Sequence, residues 1–138
     1  KNIFLNSITD FIHSGKKIIG ICFGMQILFD SSEEGKLSGL GILKGNVTKI
    51  SLGKDRVPNI GWRKIAGSMS GYYFFMHSYA IAQNEFLLNN DCTNYSIAKC
   101  NSDIVASFKY ENIYGLQYHP EKSYNYGDKL LKSIIDES

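Results

Sequence analysis

Proline, cysteine and long apolar runs are scarce in this chain of 138 residues, and each scarcity excludes a class of protein. No apolar stretch approaches the roughly 20 residues that a membrane-spanning helix needs. The three cysteines, Cys22, Cys92 and Cys100, form no C-x2-C pair, which leaves neither a zinc-ligand spacing nor a disulfide framework. We therefore expect no membrane partner, no metal or organic cofactor, and a reducing, cytoplasmic location.

Net charge is low as well, at +2, and no run of Lys or Arg forms a basic stripe. This gives no reason to expect a nucleic acid as a partner. Hydrophobic residues make up 43% and charged residues 20%, so the chain has the composition of a folded domain rather than a disordered one. No repeat or linker divides residues 1–138, and we expect one domain.

The first thirty residues follow the pattern of an α/β domain. Apolar residues at helical spacing predict a helix over Asn2–His13, with Gly15 just past its end. The β-branched run 17–21 is typical of a strand buried on both faces, as in a parallel sheet. A tight turn at 20–24 then leads into a second helix that opens at 25–29.

The middle of the chain is richer in short strands. Five segments have strand-like composition: 45–51, 72–76, 96–100, 104–110 and 113–118. Glu111-Asn112 is a candidate two-residue hairpin, and 127–135 has the pattern of a closing helix. Because the opening helix leads directly into a strand that needs neighbours on both sides, we expect N-terminal strands to be missing from this chain.

A cysteine elbow is the first chemical signal. Cys22 stands between Gly20 and Gly24 at the predicted strand-to-helix turn, which is the cysteine analogue of the G-x-S-x-G nucleophile elbow. Glycines avoid the clashes of such a turn, and the N-terminus of the following helix favours the thiolate. The N–H of Phe23 would then donate to a developing oxyanion. The alternative is an inert cysteine in a core strand.

The segment His119-Pro120-Glu121 supplies a candidate base and its partner. Histidine titrates near neutral pH, and a carboxylate can fix its tautomer and stabilise its charged form. Pro120 favours an extended conformation at His119, and residues i and i+2 of an extended segment point the same way. The sequence therefore predicts that Glu121 orients His119. The alternative is a surface histidine beside a solvated glutamate.

Together these residues resemble a known family. GICFGMQ around Cys22 and YHPEKS around His119 and Glu121 resemble the triad of class I (triad-type) glutamine amidotransferases. The match narrows with SEEG at 32–35, GLG at 39–41, VPNIGW at 57–62 and YYFFMHSY at 72–79. In this order, from about Lys16 to the C-terminus, the segments are similar to the glutaminase subunits, HisH, of imidazole glycerol phosphate synthases. The resemblance implies a flavodoxin-like, three-layer α/β fold with a mostly parallel central sheet and an antiparallel β region, truncated at its N-terminus.

The resemblance also implies roles in glutamine hydrolysis. Cys22 would attack the side-chain amide of L-glutamine to form a thioester and release ammonia, with His119 as general acid and base and Glu121 as its partner. Substrate binding would fall to five residues, the last two through their backbone at the α-carboxylate: Phe23, Gln26, Glu34, Ser78 and Tyr79. Taken alone, Glu34 would be interpreted as a solvated charge.

A partner protein is implied too. In this family, ammonia passes through a (β/α)8 cyclase, HisF, which makes imidazole glycerol phosphate and an aminoimidazole carboxamide ribotide in histidine biosynthesis. Trp62 and Lys122 match segments that face this partner. Without the resemblance, Trp62 would be a candidate core aromatic and Lys122 a solvated charge.

Two departures from the family pattern keep other functions open. No P-G-x-G loop, which completes the oxyanion hole in the family, precedes Cys22, so we expect this chain alone to be unstable or inactive. Asn59 and Arg63 stand where the family more often has His and Asn. The alternatives are an ammonia-supplying paralogue for a sugar-amidating synthase in surface polysaccharide synthesis, a truncated, inactive interaction module and a cysteine peptidase.

Overall fold

The computed structural model describes residues 2–35, 38–50, 57–100 and 102–137. Its helices are α1 (Asn2–His13), α2 (Phe23–Gln26), α3 (Gln83–Asn89) and α4 (Tyr124–Asp136), with a 3₁₀ turn at Pro120–Lys122. Its strands are β1 (Ile18–Ile21), β2 (Ser31–Ser32), β3 (Asn46–Lys49), β4 (Asn59–Gly67), β5 (Gly71–His77), β6 (Tyr79–Ala80), β7 (Tyr95–Cys100), β8 (Ser102–Tyr110) and β9 (Ile113–Leu116). No helix in these ranges is both long and apolar enough to cross a bilayer.

The larger sheet has the strand order β1-β9-β8-β7-β4-β5. β1 runs parallel to β9, from the pair Ile18–Ile113 to the pair Ile21–Leu116, whereas the other neighbours in this sheet run antiparallel. A bridge between Phe74 of β5 and His119, beyond β9, brings the far end of the sheet back toward its start. The sheet therefore curls, and the chain segments that follow β1, β5 and β9 meet on one side.

Two apolar clusters cover the two faces of this sheet. β8 contributes to both, with Ile104 and Ala106 in one cluster and Val105 in the other. Aromatic rings fill much of the space: Tyr73 stacks on Tyr118 in the first cluster, with ring centroids 4.1 Å apart. A strand buried on both faces needs a nearly continuous apolar sequence, which β8 has.

Helix α4 is fastened at both of its ends. At its start, Gly127 packs so closely that an added Cβ would lie 1.8 Å from the carbonyl oxygen of Pro120. At its end, the Lys17 ammonium, just before β1, donates to the carbonyl oxygens of Ile134 at 2.6 Å and Ile135 at 3.2 Å. These bonds satisfy carbonyl groups that a helix C-terminus leaves without partners.

Most predicted elements are confirmed. The helix Asn2–His13 has the predicted bounds, and Gly15 adopts φ 76° just beyond it. Tyr110 pairs with Ile113 across the predicted two-residue hairpin. The strand predicted over 45–51 is present as β3, although Ser51 lies outside the described residues.

Other elements differ from the prediction. The second helix is wrong in length, because α2 is a single turn that ends at Gln26. The long strand β4 and the helix α3 had no counterpart in the prediction. β4 carries Gly61 and a polar Arg63-Lys64 pair, which interrupt the apolar alternation that marks a strand.

Candidate active site

The cysteine elbow is present at the end of β1. Cys22 adopts φ 54° and ψ −111°, a strained conformation for a residue with a side chain. A Cβ at Gly20 would lie 2.6 Å from the carbonyl oxygen of Gly24, so Gly20 is required by close packing. Gly24 differs from the prediction, since a Cβ there would meet nothing within 4 Å among the described residues.

The nucleophile candidate is tied to β9, the strand that leads to His119. The Cys22 N–H donates to the Leu116 carbonyl at 2.6 Å. The sulfur lies 3.8 Å from the side-chain nitrogen of Gln117 and 3.7 Å from the carbonyl oxygen of Met76. The sulfur is thus held between the ends of β1, β5 and β9.

Burial decides the protonation of this thiol. Burial raises the pKa of the Cys22 thiol above its ordinary value, the Phe23 N–H lowers it, and the carboxylates of Glu34 and Glu121 raise it further. The Phe23 N–H at the start of α2 acts in the predicted direction, and so does the side chain of Gln117, but burial outweighs both and the pKa of the thiol is raised. A thiol in this state needs a base to become nucleophilic.

His119 and Glu121 are in contact, with Nδ1 of the ring 2.5 Å from Oε1 of the carboxylate. The predicted route to this contact is wrong. His119 is extended at φ −99° and ψ 95°, but Pro120 begins a 3₁₀ turn, so the two residues do not share an extended segment. The turn brings Glu121 back under the ring. The carboxylate is 49% exposed and the ring 16%, so the pair lies at the surface of a partly closed site.

Ser123 fixes this turn to the sheet. Its buried hydroxyl donates to the His119 carbonyl at 2.6 Å and accepts from the Phe74 N–H at 2.9 Å. The His119 N–H in turn donates to the Phe74 carbonyl at 2.8 Å. With Gly127 packed on Pro120, these contacts hold the histidine from both strand and helix.

The candidate nucleophile and the candidate base have different hydrogen-bond partners. Among the described residues, no hydrogen bond joins the Cys22 sulfur to the His119 ring. Nucleophile–base contacts are often loose in a site without substrate and tighten when it binds. Within the same residues, no three His, Cys, Asp or Glu side chains converge as metal ligands.

A family model for "Glutamine amidotransferase class-I" matches residues 3–135. The chain belongs to the class I glutamine amidotransferase family. The predicted α/β fold of this family is confirmed by that match and by solved structures of the same shape. Its parallel part is limited, in the larger sheet, to the β1–β9 pair.

Two sequence relatives of this amidotransferase have the same name. This chain is 37% identical over 134 residues to the imidazole glycerol phosphate synthase subunit HisH of Prochlorococcus marinus, and the match covers 89% of this chain and 63% of the relative. It is 35% identical over 126 residues to the HisH subunit of Staphylococcus aureus, covering 89% of this chain and 62% of the relative. The chain thus spans a little under two thirds of the length of these relatives.

Solved structures agree on the fold at lower sequence identity. The structure of PurLQS from Thermotoga maritima matches 96% of this chain and 66% of its own, with a TM-score of 0.70 and 20% identity. A crystal structure of a glutamine amidotransferase also matches 96% of this chain and 66% of its own, with a TM-score of 0.66 and 14% identity. These matches bear on the amidotransferase fold alone.

A pocket of about 360 Å³ opens beside the elbow of this amidotransferase domain. Three of the five predicted substrate-binding residues line it: Phe23, Gln26 and Glu34. Ser78 and Tyr79 do not line it. The Ser78 carbonyl accepts from the Ile50 N–H, and the Tyr79 carbonyl accepts from Gln26, so their roles at a substrate carboxylate remain predictions.

Gln26 lines this pocket and carries one unpaired polar atom. Its side-chain nitrogen donates to the Tyr79 carbonyl at 2.8 Å and to the Gln117 side-chain oxygen at 3.1 Å. Its buried oxygen, Oε1, has no hydrogen-bond partner among the described residues. An unpaired buried acceptor is costly, which is a reason to expect a ligand donor there.

Gln117 was not predicted as part of the site. It is fully buried, contacts both Gln26 and the Cys22 sulfur, and stands two residues before His119. A polar residue inside the apolar run 113–118 was the available signal, because a buried amide must find partners.

The two predicted interface residues lie at the surface. Trp62 is 46% exposed and stacks on Tyr124 with ring centroids 5.7 Å apart, so it is not a core aromatic. Lys122 is exposed at the end of the 3₁₀ turn that carries Glu121. Both face solvent close to the triad candidates.

Proposed function

We propose that this chain carries the glutaminase chemistry of an ammonia-supplying amidotransferase, with Cys22, His119 and Glu121 as the catalytic triad. One observation carries the proposal: the strained Cys22 and the His119–Glu121 pair follow neighbouring parallel strands, and a pocket of about 360 Å³ opens beside the Cys22 elbow. That volume is in the range of small-molecule sites and suits a single amino acid.

The reaction follows from the chemistry of the three groups. His119 takes the proton of the Cys22 thiol as the sulfur attacks the side-chain amide carbon of glutamine. The oxyanion that forms accepts a hydrogen bond from the Phe23 N–H. The carbon–nitrogen bond breaks, and His119 returns the proton so that ammonia leaves and a thioester remains. Water, deprotonated by His119, then hydrolyses the thioester to glutamate and regenerates the thiol.

Glu121 and the pocket residues support these steps. The Glu121 carboxylate holds the Nδ1–H of His119, which leaves Nε2 as the basic nitrogen, and it stabilises the imidazolium that forms. The free oxygen of Gln26 is suited to accept from an N–H of glutamine, and Glu34 is suited to its ammonium group. We assign the α-carboxylate to the backbone of Ser78 and Tyr79 from the family resemblance.

The ammonia, in our proposal, passes to a HisF-type (β/α)8 cyclase in the cytoplasm, where imidazole glycerol phosphate is made for histidine biosynthesis. The identity to HisH subunits over 89% of the chain supports this partner. Trp62 and Lys122 are suited to contact it, since an exposed aromatic stack and an exposed cation are typical of an interface centre and its rim.

The test measures glutamate released from glutamine by the protein, with and without a HisF-type partner and its nucleotide substrate. Cys22→Ala is the control for chemistry at the elbow. Activity that rises with the partner and disappears in the control would support both the glutaminase and the histidine-pathway assignments.

The other outcomes separate the alternatives. Glutaminase activity that a HisF-type partner does not raise would favour an ammonia supplier for a sugar-amidating synthase, for which the Asn59 and Arg63 departures leave room. No glutamate release under any condition, from a protein that still binds the partner, would favour an interaction module.

A further inference from the structure

A buried chain of hydrogen bonds links β4 to the glutamine pocket. The Arg63 Nε–H donates to the Asn59 side-chain oxygen at 2.5 Å, and the Asn59 side-chain nitrogen lies 3.0 Å from Nε2 of His77. Nδ1 of His77 lies 2.9 Å from the Tyr79 carbonyl oxygen. The same carbonyl accepts from Gln26, the residue that lines the pocket.

The two ends of this chain fix the direction of every bond in it. Arg63 can only donate, so the oxygen of Asn59 must face it and the nitrogen of Asn59 must face His77. The Tyr79 carbonyl can only accept, so Nδ1 of His77 must carry the proton. Nε2 of His77 is then the acceptor for Asn59. The neighbours of the ring therefore require it to be neutral and in one tautomer.

Because this chain of hydrogen bonds is buried, the loss of any of its bonds is costly. Asn59 is 1% exposed and His77 is 7% exposed, so neither can exchange its protein partners for water. A buried amide or ring nitrogen that loses its partner bears the full cost of desolvation. Arg63 also donates to the Lys99 carbonyl at 3.4 Å, which anchors the guanidinium to β7.

A proton on Nε2 of His77 would break the chain. This proton would point at the side-chain nitrogen of Asn59, which is also a donor. Rotating the Asn59 amide by 180° would relieve that clash but would place the same nitrogen against the Nε–H donor of Arg63. The charged groups that act on this ring, Arg63 on β4 and His119 beyond β9, also disfavour a second positive charge, and burial acts in the same direction.

The Tyr79 carbonyl is the point at which this chain reaches the pocket. It is held from one side by His77 and from the other by the side-chain nitrogen of Gln26. Both donors of Gln26 are thereby used within the protein, on Tyr79 and on Gln117, and this fixes the orientation of its amide.

We propose that Asn59, Arg63 and His77 are positioning residues for glutamine: they hold the Tyr79 carbonyl, which orients the Gln26 amide in the wall of the pocket. The proposal rests on the glutaminase function proposed above. It adds three residues that do not line the pocket and gives the departure at Asn59 and Arg63 a shared role.

The first arm of the test measures the tautomer and does not require activity. Nitrogen-15 NMR of the protein labelled at histidine reports which ring nitrogens carry protons, with His77→Gln to assign the signals. At pH 7, His77 is expected to carry a proton on Nδ1 only. In Asn59→Asp, an isosteric acceptor faces Nε2, and both ring nitrogens are expected to be protonated. A wild-type ring protonated on Nε2 would overturn the chain as described.

The second arm measures positioning. Asn59→Leu removes both bonds of Asn59 at nearly constant shape, and we expect the KM for glutamine to rise about tenfold with a smaller change in kcat. Asn59→Asp keeps a partner for Arg63 and for His77, and its KM is expected to stay within about twofold of wild type. Lys64→Leu, on the opposite, exposed face of β4, is the matched control and should change neither constant.

Two further measurements keep the outcomes separable. If Asn59→Leu does not fold, as judged by circular dichroism, Asn59→Ser replaces it, since it loses the bridge with a smaller buried side chain. Calorimetry of glutamine binding to Cys22→Ala gives a Kd that does not depend on turnover. A folded Asn59→Leu or Asn59→Ser protein with wild-type KM and Kd would refute the positioning role, even if glutaminase activity is present.

Absence of both turnover and glutamine binding in wild type would reject the glutaminase function itself. The NMR measurement would still decide whether the hydrogen-bond chain is as described.

Discussion

One histidine ends β5 and another follows β9, and the two differ in what faces the ring. Nδ1 of His119 meets the carboxylate of Glu121 at 2.5 Å. Nδ1 of His77 meets the neutral Tyr79 carbonyl at 2.9 Å, and its Nε2 meets an amide. His77 is buried, whereas the Glu121 carboxylate reaches solvent.

This difference decides whether a charged ring would have a partner. An imidazolium at His119 would have a carboxylate to stabilise it, as acid–base chemistry requires. An imidazolium at His77 would have none, and burial together with Arg63 lowers the pKa of His77 to about 4. The same side chain therefore serves as a candidate base in one place and as a fixed hydrogen-bond dipole in the other.

The sharpest way to break the comparison is to remove the candidate base. His119→Ala should lower kcat for glutamine hydrolysis by about 10³-fold, because general acid–base catalysis contributes about 10²–10⁴-fold. The measurement is steady-state glutamate release, with Cys22→Ala as the inactive reference. Retention of more than a tenth of the wild-type kcat would mean that His119 is not the base.

Acid titration of stability tests the other histidine. The pKa of His77 is lowered from 6.5 to about 4 in the folded chain, so the unfolded chain binds this proton more readily within that window. The free energy of unfolding should therefore fall as pH drops from 6.5 to 4, with about 3 kcal/mol of the loss due to His77.

The check is urea unfolding at pH 7 and pH 4. His77→Gln should lose less stability between the two pH values than wild type does, whereas the exposed His13→Gln should follow wild type. Equal losses in wild type and His77→Gln would show that the buried ring is not excluded from protonation.

Neutralising the Glu121 carboxylate, which contacts the ring of His119, sharpens the comparison of the two histidines further. Glu121→Gln should lower kcat by about 10²-fold, less than loss of the histidine, because the ring remains but its charged form loses a partner. Glu111→Gln, at the exposed hairpin, is the matched control. A kcat equal to that of the control would leave Glu121 without a catalytic role.

The smallest expected effect comes from the contact that ties the two strand ends together. Ser123→Ala removes a buried hydroxyl that bonds both Phe74 and His119, and it should cost about 2 kcal/mol of stability. Chemical denaturation measures this loss, with the exposed Ser133→Ala on α4 as control. A variant as stable as that control would show that the backbone bond from His119 to Phe74 and the packing of Gly127 fix the turn without the hydroxyl.

Sequence patterns found the triad candidates because their signals are local. The elbow at Cys22 needs only neighbouring glycines, and the His119–Glu121 contact needs only two residues of separation. Even so, the geometry was only partly foreseen: a 3₁₀ turn replaces the extended segment, and α2 ends after one turn. Short elements of this kind depend on tertiary contacts that a local pattern does not contain.

The polar chain from Arg63 to Gln26 was not foreseen, for the opposite reason. Asn59, Arg63 and His77 lie on two strands, and their meeting depends on the register that sets Asn59 beside His77. β4 was itself missed, because Gly61 and the polar pair after Trp62 hide its alternation. A buried asparagine and a buried histidine are recognisable only when strand pairing is known.

Helix α4 connects the segment that carries His119 with the segment that carries Cys22. One end is packed on the turn that carries the base, and the other is gripped by Lys17 immediately before the strand that carries the nucleophile. Its 13 residues correspond to a rod of about 20 Å. Deleting one residue from its middle would turn its last carbonyls by about 100° and carry them away from Lys17. The length and phase of this helix therefore set the geometry of the candidate site, although no α4 side chain is proposed to touch the substrate.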